Sequence, residues 1–240
     1  MVVDLLTEWL KTRVQEAGAQ GVVFGLSGGI DSAVVGALSR RAFGDDVLGI
    51  IMPCQSSVQD MLDAKLVADE LSIPCIMVEL DDAYQLLLGQ YEAFVKIGNE
   101  EKARQVKGNI KPRLRMITLY YFAQALGYLV VGTSNRDELE VGYFTKYGDG
   151  GVDLMPIGAL VKSQVRELAK FLGVPECIIN KVPSAGLYEN QTDEAEMGIR
   201  YEDLDRYLLT GEGTDEIVRK IRTMQKLSEH KRRLPPIPEL

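Results

Sequence analysis

Histidine occurs once in this sequence, as His230, and cysteine three times, as Cys54, Cys75 and Cys177. No two cysteines form a C-x-x-C pair, and one histidine leaves too few ligands for a zinc centre. The thiols read as free groups in a reducing compartment. Basic residues are outnumbered, 27 against 35 acidic, for a net charge of −8. That balance argues against a nucleic-acid-binding surface, though a local basic pocket for phosphates is compatible with it. The chain has no run near the ~20 apolar residues that a membrane helix needs, and no charged-then-apolar leader at its start. A cytoplasmic protein with no membrane or nucleic-acid partner is expected. Repeats, low-complexity tracts and linker-like stretches are also missing. The 240 residues, 46% of them apolar, are therefore expected to form a single domain, 1–240, with a C-terminal extension.

The pattern that remains alternates. Leu5, Leu6, Trp9, Leu10 and Val14 fall on one stripe of an opening helix, which Gly18 and Gly21 end. Val22 to Leu26 is a short β-branched run that reads as a buried strand. A glycine-rich loop follows, then a helix from about Asp31 to Phe43. Val47–Met52, Ile76–Val78 and Tyr128–Val131 read as three more strands. Between them, Ser57-x-x-Asp60 predicts a capping box opening a helix to about Ser72. Helical stretches are also expected from about Ala83 to Val95 and from about Asn99 to Leu126. The expected class is α/β: a doubly wound parallel sheet with helices on both faces, plus a helical C-terminal extension. In that extension Val161, Val165, Leu168, Ala169 and Leu172 recur at helical spacing up to Gly173 and Pro175. Further helices are expected at Tyr201–Leu209 and Thr214–Lys226. The proline-rich end, Leu234 to Pro238, cannot be helical.

Open α/β sheets bind ligands at the carboxyl ends of their strands, where Ser27-Gly28-Gly29-Ile30-Asp31-Ser32 falls. Glycines open the backbone to a ligand, and the helix N-terminus after them offers free N–H groups and partial positive charge. The string is neither G-x-x-x-x-G-K-[ST] nor G-x-G-x-x-G. It lacks the lysine that serves β- and γ-phosphates and carries an acid, Asp31, instead. An acid beside polyphosphate needs a metal between them, most simply Mg²⁺. That arrangement suits departure of a whole pyrophosphate.

The loop resembles the S-G-G-x-D-S signature of the N-type ATP pyrophosphatases, which share the adenine nucleotide alpha hydrolase-like fold and split ATP between its α- and β-phosphates. A second stretch, Gly132 to Asp153, follows the fourth strand and contains Phe144-Thr145-Lys146-Tyr147-Gly148-Asp149-Gly150-Gly151. Together with Asn109 to Met116, Pro156 to Lys162 and Glu229-His230-Lys231-Arg232, it resembles the ammonia-dependent NAD synthetases within that superfamily. The resemblance runs from about Gly25 to Arg232.

What the resemblance implies is specific. Gly25, Leu26, Ser27, Gly28, Gly29, Ile30, Asp31 and Ser32 would hold ATP, with Thr133, Lys162 and Ser184, a serine where the family usually has threonine. Asp31 and Glu138 would carry Mg²⁺. Arg113, Lys146, Asp153, His230 and Lys231 would bind deamido-NAD. Asp149 falls near the point of ammonia attack, so Asp149 and Lys162 are the catalytic candidates. The family is homodimeric, with the deamido-NAD sites at the subunit interface. The segment Met52 to Asp60 departs from the family's usual pattern, which leaves its adenine contacts open with Ser57 as a candidate. Free ammonia is the expected nitrogen donor, because the chain has no residues to spare for a glutaminase. Two alternatives stay open on the residues alone: another adenylating member of the superfamily, or a nucleotide-binding module without chemistry. The acids at 31, 138 and 149 count against a pure binder.

Overall fold

A computed structural model describes residues 2–188 and 191–238. Four strands form one fully parallel sheet: β1 (Gly21–Gly25), β2 (Val47–Ile51), β3 (Cys75–Met77) and β4 (Tyr128–Val130), in the order β3-β2-β1-β4. Along β1 the side chains alternate between two cores, as a strand's period of two requires. Val22 and Phe24 pack with α1 (Val2–Glu16), α2 (Ile30–Phe43), α3 (Val58–Glu70) and α8 (Lys162–Phe171). Val23 packs on the other face with α4 (Asp81–Glu92) and α6 (Ile110–Leu126). The parallel sheet with helices on both faces matches the expected class.

Several local expectations shift. Leu5 is 67% exposed; the buried stripe of α1 is Val3, Thr7, Leu10 and Val14. The long helix expected from Asn99 to Leu126 is two helices, α5 (Glu100–Gly108) and α6. Pro112 explains the break: it has no N–H to continue α5, but in the first turn of a new helix that donor is not needed. At Ser57 the hydroxyl oxygen accepts from the Asp60 N–H at 3.1 Å. The Asp60 carboxylate accepts from that same hydroxyl at 2.7 Å rather than from the Ser57 N–H, so the capping is one-sided.

The C-terminal region builds a third core from Val141, Met197, Ile199, Tyr201, Leu204 and Ile221. These come from α7 (Arg136–Val141), α10 (Asp193–Met197), α11 (Tyr201–Thr210), α12 (Asp215–Arg232) and, for Ile199, the link between α10 and α11. Helices α7, α9 (Glu176–Ile179) and α10 are too short to show a period in sequence. Gly142 ends α7 in the left-handed conformation, and a Cβ there would lie 2.1 Å from Ser228 Cβ. That close approach is how α12 seats on α7.

Candidate active site

With strand order β3-β2-β1-β4, the chain turns to opposite sides after β1 and before β4, which opens a crevice at the carboxyl ends of these two neighbours. A cavity of about 520 Å³ lies there, reached by Ser27 to Ser32 after β1 and by Val131 to Glu138 after β4.

The floor is a charged network. Asn135 is fully buried and caps α7: its carbonyl accepts from the Glu138 N–H at 3.1 Å. Its amide nitrogen donates to Glu138 Oε1 at 2.9 Å and to Asp31 Oδ1 at 3.0 Å. One side chain thus ties together two acids that lie 107 positions apart in sequence (138 minus 31). Lys162, the first residue of α8, is 1% exposed and donates from Nζ to Asp31 Oδ2 at 2.5 Å. Its ammonium sits 4.9 Å from the ring centroid of Tyr201, whose hydroxyl donates to the buried Asp193 at 2.9 Å. Burial and the neighbouring Asp31 push the Glu138 carboxyl well above its ordinary range. Burial works against the charge on Lys162, but Asp31 and Glu138 overcome it and hold the ammonium above its usual value. Behind α8, burial and then Asp205 push Asp137 up to about 8.

Most of the candidate ATP residues line the cavity. Gly25, Leu26, Ser27, Gly29, Ile30, Asp31 and Ser32 line the cavity, as do Thr133, Glu138, Lys162 and Ser184. The hydroxyls of Ser27 and Ser32 are 3.0 Å apart, and Ser32 donates to the Gly29 carbonyl at 2.9 Å. Gly28 does not line the cavity and has a packing cause of its own. Its φ is +77°, and a Cβ would meet the Asp60 carbonyl oxygen at 2.7 Å, so it is a glycine because α3 packs on it. Ser57 is spent on capping α3, and Met52, Pro53 and Ser56 reach the cavity from that segment instead. Arg115 fixes this stretch, donating to the Met52 carbonyl at 3.2 Å and the Ser56 hydroxyl at 3.4 Å.

The rim is built differently. Asp149, exposed at the cavity surface, accepts from the Thr145 N–H at 2.9 Å, and partial desolvation by the surrounding walls raises its carboxyl. Lys231 donates to the Gly142 and Phe144 carbonyls at 2.7 and 2.8 Å, and burial lowers its ammonium. Lys146 donates to the His230 carbonyl at 2.6 Å. Lys146 and Lys231 border a smaller hollow of about 220 Å³ beside the main one. Arg113 is exposed on α6 and donates to the Lys146 carbonyl at 3.3 Å. Asp153 and the exposed His230 lie outside both linings. The carboxylate of Asp153 accepts from the Val130 N–H at 2.8 Å and the Tyr120 hydroxyl at 3.0 Å, which clamps β4.

Three functional-looking residues escaped the sequence reading: Asn135, Asp193 and Lys181. For Asn135 the signal was present, since Asn135-x-x-Glu138 is a capping-box pattern. Lys181 bridges to Asp60 at 2.8 Å and Asp63 at 2.5 Å across 121 and 118 positions, which no local pattern announces.

The family model for NAD synthase matches residues 2–235. A protein of Carboxydothermus hydrogenoformans named NH(3)-dependent NAD(+) synthetase is 54% identical over 99% of this chain and 96% of its own length. The chain belongs to the NAD synthase family. Among solved structures, an NMN synthetase from Francisella tularensis superposes with a TM-score of 0.93 at 38% identity, covering 100% of this chain and 98% of that one. An NH3-dependent NAD synthetase from Campylobacter jejuni, in complex with nitrate, gives 0.79 at 30% identity, covering 99% and 97%. Within the NAD synthase family frame, the floor and rim become candidate ATP and second-substrate regions of one site. No described helix is long and apolar enough to cross a membrane.

Proposed function

We propose that this chain is a ligase that forms NAD from deamido-NAD, ATP and ammonia through an acyl-adenylate, releasing AMP and pyrophosphate. The observation that carries the reaction is the 54% identity, over nearly both full lengths, to an NH(3)-dependent NAD(+) synthetase. The floor network supplies its physical logic.

A carboxylate resists ammonia because negative charge shields its carbon and hydroxide leaves poorly. Adenylation removes both obstacles. The nicotinate carboxylate of deamido-NAD attacks the α-phosphate of ATP, and pyrophosphate leaves toward Ser27 to Ser32. The free N–H groups of the first turn of α2 and the buried ammonium of Lys162 stabilise the developing charge. Asp31 and Glu138 fit Mg²⁺. They are hard oxygen donors held together by Asn135, and no described group of three or more His, Cys, Asp or Glu forms a closed protein cage. An ion bound by one or two carboxylates and shared with substrate phosphates needs no such cage. When bound, it would neutralise the leaving pyrophosphate as a Lewis acid. Ammonia then attacks the acyl carbon and AMP departs. Asp149, a carboxylate on the cavity wall, takes the proton from the incoming nitrogen.

Arg113, Lys146, Asp153, His230 and Lys231 are proposed to meet deamido-NAD in a homodimer. Supporting this, Arg113, Ile117 and Tyr121 share one exposed face of α6 at helical spacing, with Ile117 60% and Tyr121 69% exposed. The similarity to an NMN synthetase favours a second reading, in which the mononucleotide acid is amidated by the same chemistry.

One assay separates these readings. The protein is given ATP and Mg²⁺ with deamido-NAD or nicotinate mononucleotide, and ammonium or glutamine. NAD and pyrophosphate from deamido-NAD plus ammonium are expected. No NAD from ammonium would sink the proposal, equal use of glutamine would overturn the nitrogen donor, and preferred turnover of the mononucleotide would move the substrate assignment.

A further inference from the structure

The first two backbone donors of α8 are capped from outside the helix by acids. The Lys162 N–H donates to Asp137 Oδ2 at 2.6 Å, and the Ser163 N–H donates to Asp205 Oδ2 at 2.8 Å. Asp137, on α7, is 0% exposed and Asp205, on α11, 7% exposed, and Oδ1 of each is buried without a hydrogen-bond partner. Both caps come from other helices, so the packing of α7 and α11, and not a local cap residue, sets where α8 starts.

What distinguishes this N-terminus is its first residue, Lys162. Helix α11 addresses that lysine twice from one face, with Tyr201 and Asp205 four positions apart. Tyr201 lies beneath the Lys162 ammonium at 4.9 Å, while Asp205 holds the next backbone N–H. Neither acid lines the cavity. We propose that Asp205 is a positioning residue that, together with Asp137, fixes the start of α8 so that the Lys162 ammonium stands at the phosphates of ATP. The C-terminal helices thereby act on the nucleotide site without touching the nucleotide. This rests on the reading of Lys162 as a phosphate-facing cation.

The test uses the full chain and four variants: D205A, D205N, K162A and the double variant D205A/K162A. ATP affinity is read by titration calorimetry, and turnover with deamido-NAD and ammonium is followed in parallel. D205A is expected to weaken ATP binding and lower kcat by about tenfold each, within the range seen when residues behind a binding group are removed, with the KM for ammonium unchanged. D205N keeps an oxygen acceptor for the Ser163 N–H and is expected to stay within about threefold of wild type, since the geometry and not the charge is retained. In the K162A background, D205A should cost no further ATP affinity, because the two act as one unit. Wild-type behaviour of D205A, a D205N as impaired as D205A, or losses that multiply in the double variant would each overturn the proposal. If K162A itself binds ATP and turns over normally, the reading of Lys162 falls and takes the positioning role with it. If K162A is impaired but D205A is not, only the positioning role fails. Should D205A not fold, Asp205→Glu, which displaces the cap by one methylene, replaces it with the same expected loss.

Discussion

The floor and the rim of the cavity hold their charges in opposite ways. On the floor, Lys162 pairs with Asp31, and Asn135 ties Asp31 to Glu138. On the rim, Lys146 and Lys231 rest on backbone carbonyls of His230, Gly142 and Phe144. An ion pair and a bridging amide fix a geometry before ligand arrives, as transition-state stabilisation requires. Cations parked on neutral carbonyls lose little when they turn to a phosphate, as substrate recruitment requires. The difference fits the proposed adenylation on the floor and a proposed recruiting role for the two rim lysines.

Changes on the floor should act on kcat. The largest effect is expected for Asp31→Ala, which removes an acid from both Asn135 and Lys162. Pyrophosphate release should fall by about 10³-fold or more, while circular dichroism stays that of a folded protein; full activity would show that Asp31 has no such role. Asn135→Ala comes next. It frees both acids, and partners of metal-holding groups typically cost about 10–100-fold in activity. It also removes a helix cap, so a stability loss of about 1 kcal/mol in urea unfolding should accompany it. A change confined to stability would dissolve the distinction between floor and scaffold.

A rim change should act differently. Lys231→Met is expected to raise the KM for deamido-NAD by about tenfold, near 1.4 kcal/mol, and to change the KM for ATP far less. Equal effects on both substrates would erase the comparison. A last effect, on stability and not on rate, concerns Asp137, whose carboxyl is pushed up to about 8 by burial and by Asp205. The folded chain keeps this proton while the unfolded chain releases it near pH 4, so the stability that the protonated form supplies is lost as pH rises from about 4 to about 8. Asp137→Asn should flatten that fall by at most about 1.4 kcal/mol per pH unit, measured as urea unfolding at several pH values. Parallel pH profiles for variant and wild type would contradict the buried titration.

The floor and the rim were also unequally legible in the sequence. The strand–loop–helix around Ser27 to Ser32 could be read because every part of it is contiguous and each part has a local cause. The parallel sheet followed from alternation for the same reason. Asp31 and Glu138 were found through separate motifs, but the residue joining them, Asn135, was hidden in an ordinary capping pattern. Lys181 with Asp60 and Asp63, and Asp205 with the start of α8, are brought together only by packing of the C-terminal helices. Gly28 shows the converse: a glycine in a phosphate loop has a structural cause, the close approach of α3, that the motif alone does not reveal.

The central claim is that the floor serves adenylation of a carboxylate. Deamido-NAD labelled with ¹⁸O in its nicotinate carboxylate tests it most directly, with ATP and ammonium present and the released nucleotide analysed by mass spectrometry. One ¹⁸O is expected in AMP and none in pyrophosphate. Label in inorganic phosphate alongside ADP, or unlabelled AMP beside newly formed NAD, would contradict it.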